Sequence, residues 1–361
     1  MPFPAKKRNQ GLLKPFCAVL AAIVSVAYAA APSPAHHVKM HAGPFGGMVT
    51  SLAFSPADPQ RIYAGVFGGG VFRSDDGGTL WTGKSNGLTH GRVYGIVEVP
   101  SGGVVLAGTA SGVFRSTNHG ETWRRSGTGL PDTSARMFVL LAEGSTLVAT
   151  GSGVFRSWDG GKTWTPASRG LANRDIRWLA VEPSERTKVF AATFGGLFQS
   201  EDGGRSWRAS AGGASLPSLR AVAVAPGGRK VIAGSALKGV FVSHDGGRTF
   251  EPSKKGLPSP FTMALTIAET APSTWVAGML GGLYVSRNGG RSWDFLSSQM
   301  TNLSITALAV HPRNSDVIYA ATGGLIFKTE DGGHTWKDKA EWVINPEAGP
   351  PPMAQLPAPE K

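Results

Sequence analysis

Five aspartates, Asp76, Asp159, Asp202, Asp245 and Asp331, recur along the chain inside versions of one pattern, Ser/Thr-x-Asp-x-Gly-x-Thr/Ser-Trp. Repeated carboxylates could ligate divalent cations or serve as general acids and bases. Either chemistry needs several groups to converge on one atom, and one aspartate per repeat cannot do so. Two repeats carry Asn118 and Asn288 instead. An amide still accepts a hydrogen bond but supplies no charge. The set Asp76, Asn118, Asp159, Asp202, Asp245, Asn288 and Asp331 is therefore expected to lock turns, each oxygen accepting backbone N–H groups. The glycine that follows would supply positive φ, and the tryptophan would bury a large ring. His119 and Phe250 depart from the pattern and should weaken their own turns only modestly.

The other reactive side chains are scattered. Tyr63 and Tyr319 fall in one strand column, where other repeats carry Leu106, Val148, Phe190, Ile232 and Val276; Tyr284 replaces a phenylalanine. These three read as core, which leaves Tyr94. His36, His37 and His41 cluster near the N-terminus, whereas His90, His119, His244, His311 and His334 stand singly. Cys17 is the single cysteine. No metal site, cofactor or catalytic residue is expected.

Arginines differ between repeats, and differences between repeats are where function is expected. Aligned on the closing turn of the first strands, a leading column reads Met48, Arg92, Arg136, Asp175, Ser218, Phe261, Ser304. Two residues on, it reads Thr50, Tyr94, Phe138, Arg177, Arg220, Met263, Thr306. Arg92, Arg136, Arg177 and Arg220, with Tyr94, Phe138 and Trp178, make a candidate basic binding face; guanidinium groups with aromatics suit anions and protein surfaces. A second column, Arg73, Arg115 and Arg156, would form a basic stripe on the outer side.

The elements that must position these residues follow from the repeat. The leading hydroxyl residues Ser74, Ser116, Ser157, Ser200, Ser243, Ser286 and Thr329 are 42, 41, 43, 43, 43 and 43 residues apart. Each unit holds four short β-like runs; in the first they are Val49–Phe54, Arg61–Gly65, Gly70–Ser74 and Leu80–Thr82. Four strands per ~40–45 residues is the pattern of a propeller blade. The expected fold is all-β, a single seven-bladed β-propeller of four-stranded antiparallel blades over 45–344. A final strand near Trp342–Ile344 could pair with the first segment of the ring, or the ring could close by packing alone. Lys6, Lys7, Arg8 and Lys14, an apolar run from Phe16 to Ala27 and Ala27-Tyr28-Ala29 read as a signal peptide over 1–29. A leader follows over 30–44, and a Pro-rich tail over 345–361. Net charge is +12 over the chain. Removal of 1–29 takes four basic and no acidic residues, leaving 32 basic and 24 acidic, +8. That suits an acidic partner surface, an anionic lipid surface or a polyanionic glycan; nucleic acid is not expected outside the cytoplasm.

The repeated pattern resembles the Asp box of bacterial-neuraminidase-repeat propellers over about 300 residues of the chain. Within that group the chain is most similar to propellers of the photosystem II stability/assembly-factor type and, less closely, to the sortilin-like group. The first resemblance implies an exported, periplasmic or secreted, non-catalytic scaffold. Its implied partner is a protein, such as a membrane-protein complex or its precursor, bound by a monomer. The alternatives are a glycan-binding lectin and an exo-acting, sialidase-like glycoside hydrolase. By resemblance a sialidase needs an arginine triad, a tyrosine nucleophile with a glutamate, and an acid aspartate. Its N-terminal Arg-Ile-Pro segment is absent, Arg61-Ile62-Tyr63 not being equivalent. Xyloglucanase-type hydrolases with such repeats use two propellers, and this chain has repeats for one.

Overall fold

The computed structural model describes residues 47–343, apart from 101, 132, 259, 297–302 and 338–340, and for 341–343 the backbone alone. The expected signal segment, leader and tail lie outside the described residues. No helix among the described residues is long and apolar enough to cross a membrane.

The four runs of each repeat form an antiparallel sheet. The first blade holds β1 (Met48–Phe54), β2 (Ile62–Phe67), β3 (Gly70–Ser74) and β4 (Leu80–Gly83), and the second β5 (Val93–Glu98), β6 (Val105–Thr109), β7 (Gly112–Ser116) and β8 (Arg124–Arg125). The third holds β9 (Ala135–Leu140), β10 (Thr146–Thr150), β11 (Gly153–Ser157) and β12 (Thr165–Pro166), and the fourth β13 (Ile176–Val181), β14 (Val189–Thr193), β15 (Gly196–Ser200) and β16 (Arg208–Ala209). The fifth holds β17 (Leu219–Val224), β18 (Val231–Ser235), β19 (Gly239–Ser243) and β20 (Glu251–Ser253), and the sixth β21 (Thr262–Ile267), β22 (Trp275–Met279), β23 (Gly282–Ser286) and β24 (Asp294–Phe295). The seventh holds β25 (Ala307–His311), β26 (Asn314–Ala321) and β27 (Ile326–Thr329); a bridge between Lys328 and Lys337 stands in its fourth place.

The second strands are apolar on both faces, so a blade is unstable alone and must be covered on each side. Seven core clusters provide the cover, each drawing on two successive blades. One joins Tyr63 and Val71 to Phe114 and Trp123; another joins Ile62 and Trp81 to Ala307 and Tyr319 and so closes the ring. The closing strand β28 (Glu341–Val343) does not pair with the first segment of the ring. It lies parallel to β4 on the outer edge of the first blade, Trp342 opposite Trp81.

The recurrent turn is built as its residues require. In the first blade the Ser74 hydroxyl donates to Asp76 Oδ1 (2.8 Å) and accepts from the Gly78 N–H (2.8 Å), while Asp76 Oδ1 accepts from the N–H groups of Thr79 and Leu80, both 3.0 Å. Asn118 and Asn288 keep the arrangement: each Oδ1 accepts a backbone N–H, from Thr122 and Ser292, and each Nδ2 donates to the same residue's hydroxyl. At Asp159 that hydroxyl bond runs the other way, Thr163 donating to Oδ2. The next residue is glycine at positive φ in six turns; in the second it is His119, at φ 56°.

Candidate functional site at the channel mouth

The innermost strands of six blades share one irregularity. The pairing register shifts around Thr50, Tyr94, Arg136, Arg177, Arg220 and Met263, leaving each without a partner on the second strand. A β-bulge bends the strand and re-aims the unpaired side chain. Each preceding residue, Val49, Val93, Ala135, Ile176, Leu219 and Thr262, is fully buried. The bulged side chains thus stand at the channel mouth above a closed layer.

Their duties differ. The hydroxyl of Thr50 donates to the Val93 carbonyl of the next blade (2.6 Å), and Thr306 does the same to Val49 (2.5 Å). Arg136 copies this with its guanidinium, donating to the Ile176 carbonyl (2.9 Å) and also to Asp175 Oδ1 (2.5 Å). Arg177 donates to Asp175 Oδ2 (2.7 Å) and lies over the exposed Phe194 ring at 4.1 Å, while its Nε is buried without a partner. Arg220 lies over the Phe261 ring at 5.5 Å and has no carboxylate partner among the described residues. Arg92 sits over Phe67 at 5.4 Å, and the Tyr94 ring is 5.8 Å from the same phenylalanine.

The electrostatics agree with that division. Burial, with the Arg177 charge second, lowers the affinity of Arg220 for its proton. Burial and then Arg136 act likewise on Arg177, with Asp175 opposing. Burial alone would raise Asp175, but the hydrogen bond and charge of Arg136 and the charge of Arg177 hold it below the usual carboxylate range. The junction of the fourth and fifth blades therefore carries two adjacent guanidinium groups and less than one carboxylate between them. Guanidinium groups in such a pair can donate charge-assisted hydrogen bonds to an anion.

Several expected site residues fall elsewhere. Arg136 stands in the column of Arg177 and Arg220, and Ser134 takes the place beside Arg92. Phe138 is buried against Trp164 and does not reach the mouth. Trp178 packs against the cluster of Phe190 and Leu219. Leu147, not Val148, matches Tyr63, because the loop after the third blade's first strand is shorter. A steadier signal was present: in five blades the bulge lies thirteen residues after the ring that closes the preceding turn, Trp81, Trp123, Trp164, Trp207 and Phe250. Counting forward from the ring avoids the variable loop.

The second basic column is not an exposed stripe. Arg73 Nη1 donates to the His119 carbonyl (2.7 Å), Arg115 Nε to that of Gly160 (2.7 Å), and Arg156, 4% exposed, to that of Gly203. Each guanidinium crosses to the turn of the next blade and satisfies a carbonyl there. Among the described residues, no group of three His, Cys, Asp or Glu side chains could hold a metal ion.

No protein-family model and no curated protein matches this sequence. Solved structures are similar in fold. A GH74 xyloglucanase from Xanthomonas campestris is 18% identical, with a TM-score of 0.65 over 84% of this chain and 55% of that one. This chain thus spans about half the length of the enzyme. YCF48 bound to D1 peptide is 18% identical, with a TM-score of 0.64 over 80% of this chain and 95% of that one. YCF48 from Cyanidioschyzon merolae gives 16%, 0.60, 79% and 96%.

Proposed function

We propose that this protein is an exported, non-catalytic scaffold that holds an acidic segment of a protein partner at the channel mouth. The observation that carries the reading is the adjacent Arg177 and Arg220, the second without a carboxylate partner among the described residues. Two comparisons support it. The peptide-bound YCF48 structure matches this chain over nearly its whole length, whereas the xyloglucanase does so over half of its own. Glycoside hydrolysis ordinarily takes two carboxyl groups, about 5–10 Å apart. The one described carboxylate at the mouth, Asp175, has both oxygens held by arginines.

A displayed library of random peptides tests the reading. Selection on the parent protein should enrich carboxylate-bearing sequences whose binding weakens with salt. The Arg177→Glu/Arg220→Glu variant should not select them. Enrichment without acidic bias, or the same peptides selected by both proteins, contradicts the reading. Hydrolysis of xyloglucan or a sialoside by the purified protein, lost on Asp175→Asn or Tyr94→Phe, would replace it with the hydrolase alternative. Binding on a glycan array with no peptide selection would favour the lectin.

A further inference from the structure

The two ends of the propeller differ in charge and in what protrudes. The end bearing the recurrent turns mixes both signs, in pairs such as Arg73–Asp75, Arg73–Glu121, Lys188–Glu201 and Lys328–Glu330. The other end consists of the hairpins between second and third strands and the loops that lead into each innermost strand. Asp175 is the one carboxylate among the described residues of those loops, and arginines neutralise it. Asp132, in the same set of loops, lies outside the described residues. Exposed Arg174, beside Asp175, and Lys238, at a hairpin tip, stand at this end with no acid among their described loop neighbours except Asp175.

Apolar side chains protrude at the same end. Of the seven large hydrophobic side chains exposed on the described surface, Met48, Phe194, Leu237 and Leu280 are here, on four different blades. Leu237 and Leu280 sit at hairpin tips, 61% and 52% exposed. The corresponding hairpins of the second and third blades carry Ala110-Ser111 and Gly151-Ser152.

We propose that this end docks on an anionic lipid bilayer, the tips of Leu237, Leu280, Phe194 and Met48 entering the interface while the surrounding Lys and Arg side chains meet headgroup phosphates. A second copy of this face would oppose positive charge with positive charge, so self-association does not cover it. A protein partner would need a continuous, complementary apolar centre. These tips are separate, and a fluid interface accepts separate protrusions when cationic residues flank them. The proposal is independent of the peptide reading: it rests on the exposed tips, whereas the peptide reading rests on the partly buried arginines of the mouth.

The test uses the full chain and vesicles of phosphatidylcholine with or without phosphatidylglycerol. Sedimentation with the mixed vesicles should exceed that with phosphatidylcholine alone and fall with salt. The Leu237→Ser/Leu280→Ser variant should bind about tenfold more weakly, with unchanged melting temperature. In a Cys17→Ser background, a polarity-sensitive fluorophore on Leu237→Cys should shift to the blue on mixed vesicles. The same label on Trp158→Cys, at the opposite end, should not; this holds whatever the N-terminal apolar run does. Equal responses from both labels, a response from neither, or unchanged sedimentation of the double variant would overturn the proposal. Peptide selection that still depends on Arg177 and Arg220 would then leave the scaffold reading standing alone.

Discussion

Tyr63 and Tyr319 hold the same position in different blades with opposite hydrogen-bond outcomes. The Tyr319 hydroxyl donates to the Gly77 carbonyl of the next blade at 2.7 Å. Arg73 occupies the matching carbonyl, that of His119, and leaves the Tyr63 hydroxyl buried and unpaired. Removing an unpaired buried polar atom helps, and removing a paired one costs about 1 kcal/mol. Tyr63→Phe should therefore leave stability unchanged or raise it, and Tyr319→Phe should lower it by about 1 kcal/mol in denaturant melts. The turn aspartates give a second expectation. Burial alone would raise Asp159 and Asp202, but hydrogen bonds from Thr163 and Ser157, and from Ser206 and Ser200, bring both down to about 2. The unfolded value is about 3.9. Their contribution is complete above about pH 4 and is lost as pH falls towards 2, where thermal melts should drop. Asp159→Asn should cost less than Asp159→Ala, because the amide keeps the hydrogen bonds seen at Asn118 and loses only the charge, whereas Asp159→Ala should cost about 1–2 kcal/mol. The turn role was legible in sequence because Asn and Asp alternate there. The buried Glu98, 3% exposed and bonded to His119 at 2.8 Å, was not. Its column holds Phe54, Leu140, Val181, Val224, Ile267 and Val310 in the other blades, a contrast visible only after the register is known.

At the level of elements, the repeats announced blade number and strand order, but strand spacing hid the bulges. A bulge changes no residue type; it shifts pairing by one, and the loop after β9, one or two residues shorter than its counterparts in the other bulged blades, displaced Arg136 and Phe138 from their columns. The inter-blade arginines were equally hidden, since only the neighbouring turn reveals what Arg73, Arg115 and Arg156 reach. Arg156→Ala should destabilise the third–fourth junction by about 2–4 kcal/mol, because it strips a buried carbonyl of its charged donor and opens space beneath Trp158. Conversion of the same residue to Glu should be worse, and neither change should alter peptide selection. The ring closure carries its own expectation. Ending the chain before Glu341 removes the parallel strand from β4, and hydrogen exchange should speed up in β4 first, while strands of the fourth blade keep their protection.

Across the whole molecule, the end of the ring with the recurrent turns mixes acids with arginines and lysines, whereas the other has Asp175 as the one carboxylate of its described loops, beside arginines and protruding apolar tips. Single blades do not show this separation, and it emerges only when the loops of seven units are placed on one side. In the proposed reading this second end is the face that meets an anion. At the centre of that face, Arg136 is spent on Asp175 and on the next blade, Arg177 is half engaged, and Arg220 is free of any described acid. Calorimetric titration of a library-selected acidic peptide into the parent, Arg136→Ala and Arg220→Ala proteins tests that division most directly. Arg220→Ala should weaken binding tenfold or more with no loss of melting temperature, roughly what one charge-assisted hydrogen bond contributes. Arg136→Ala should lower the melting temperature and leave affinity within about threefold, under 1 kcal/mol. Equal affinity for the parent and Arg220→Ala proteins would contradict the account.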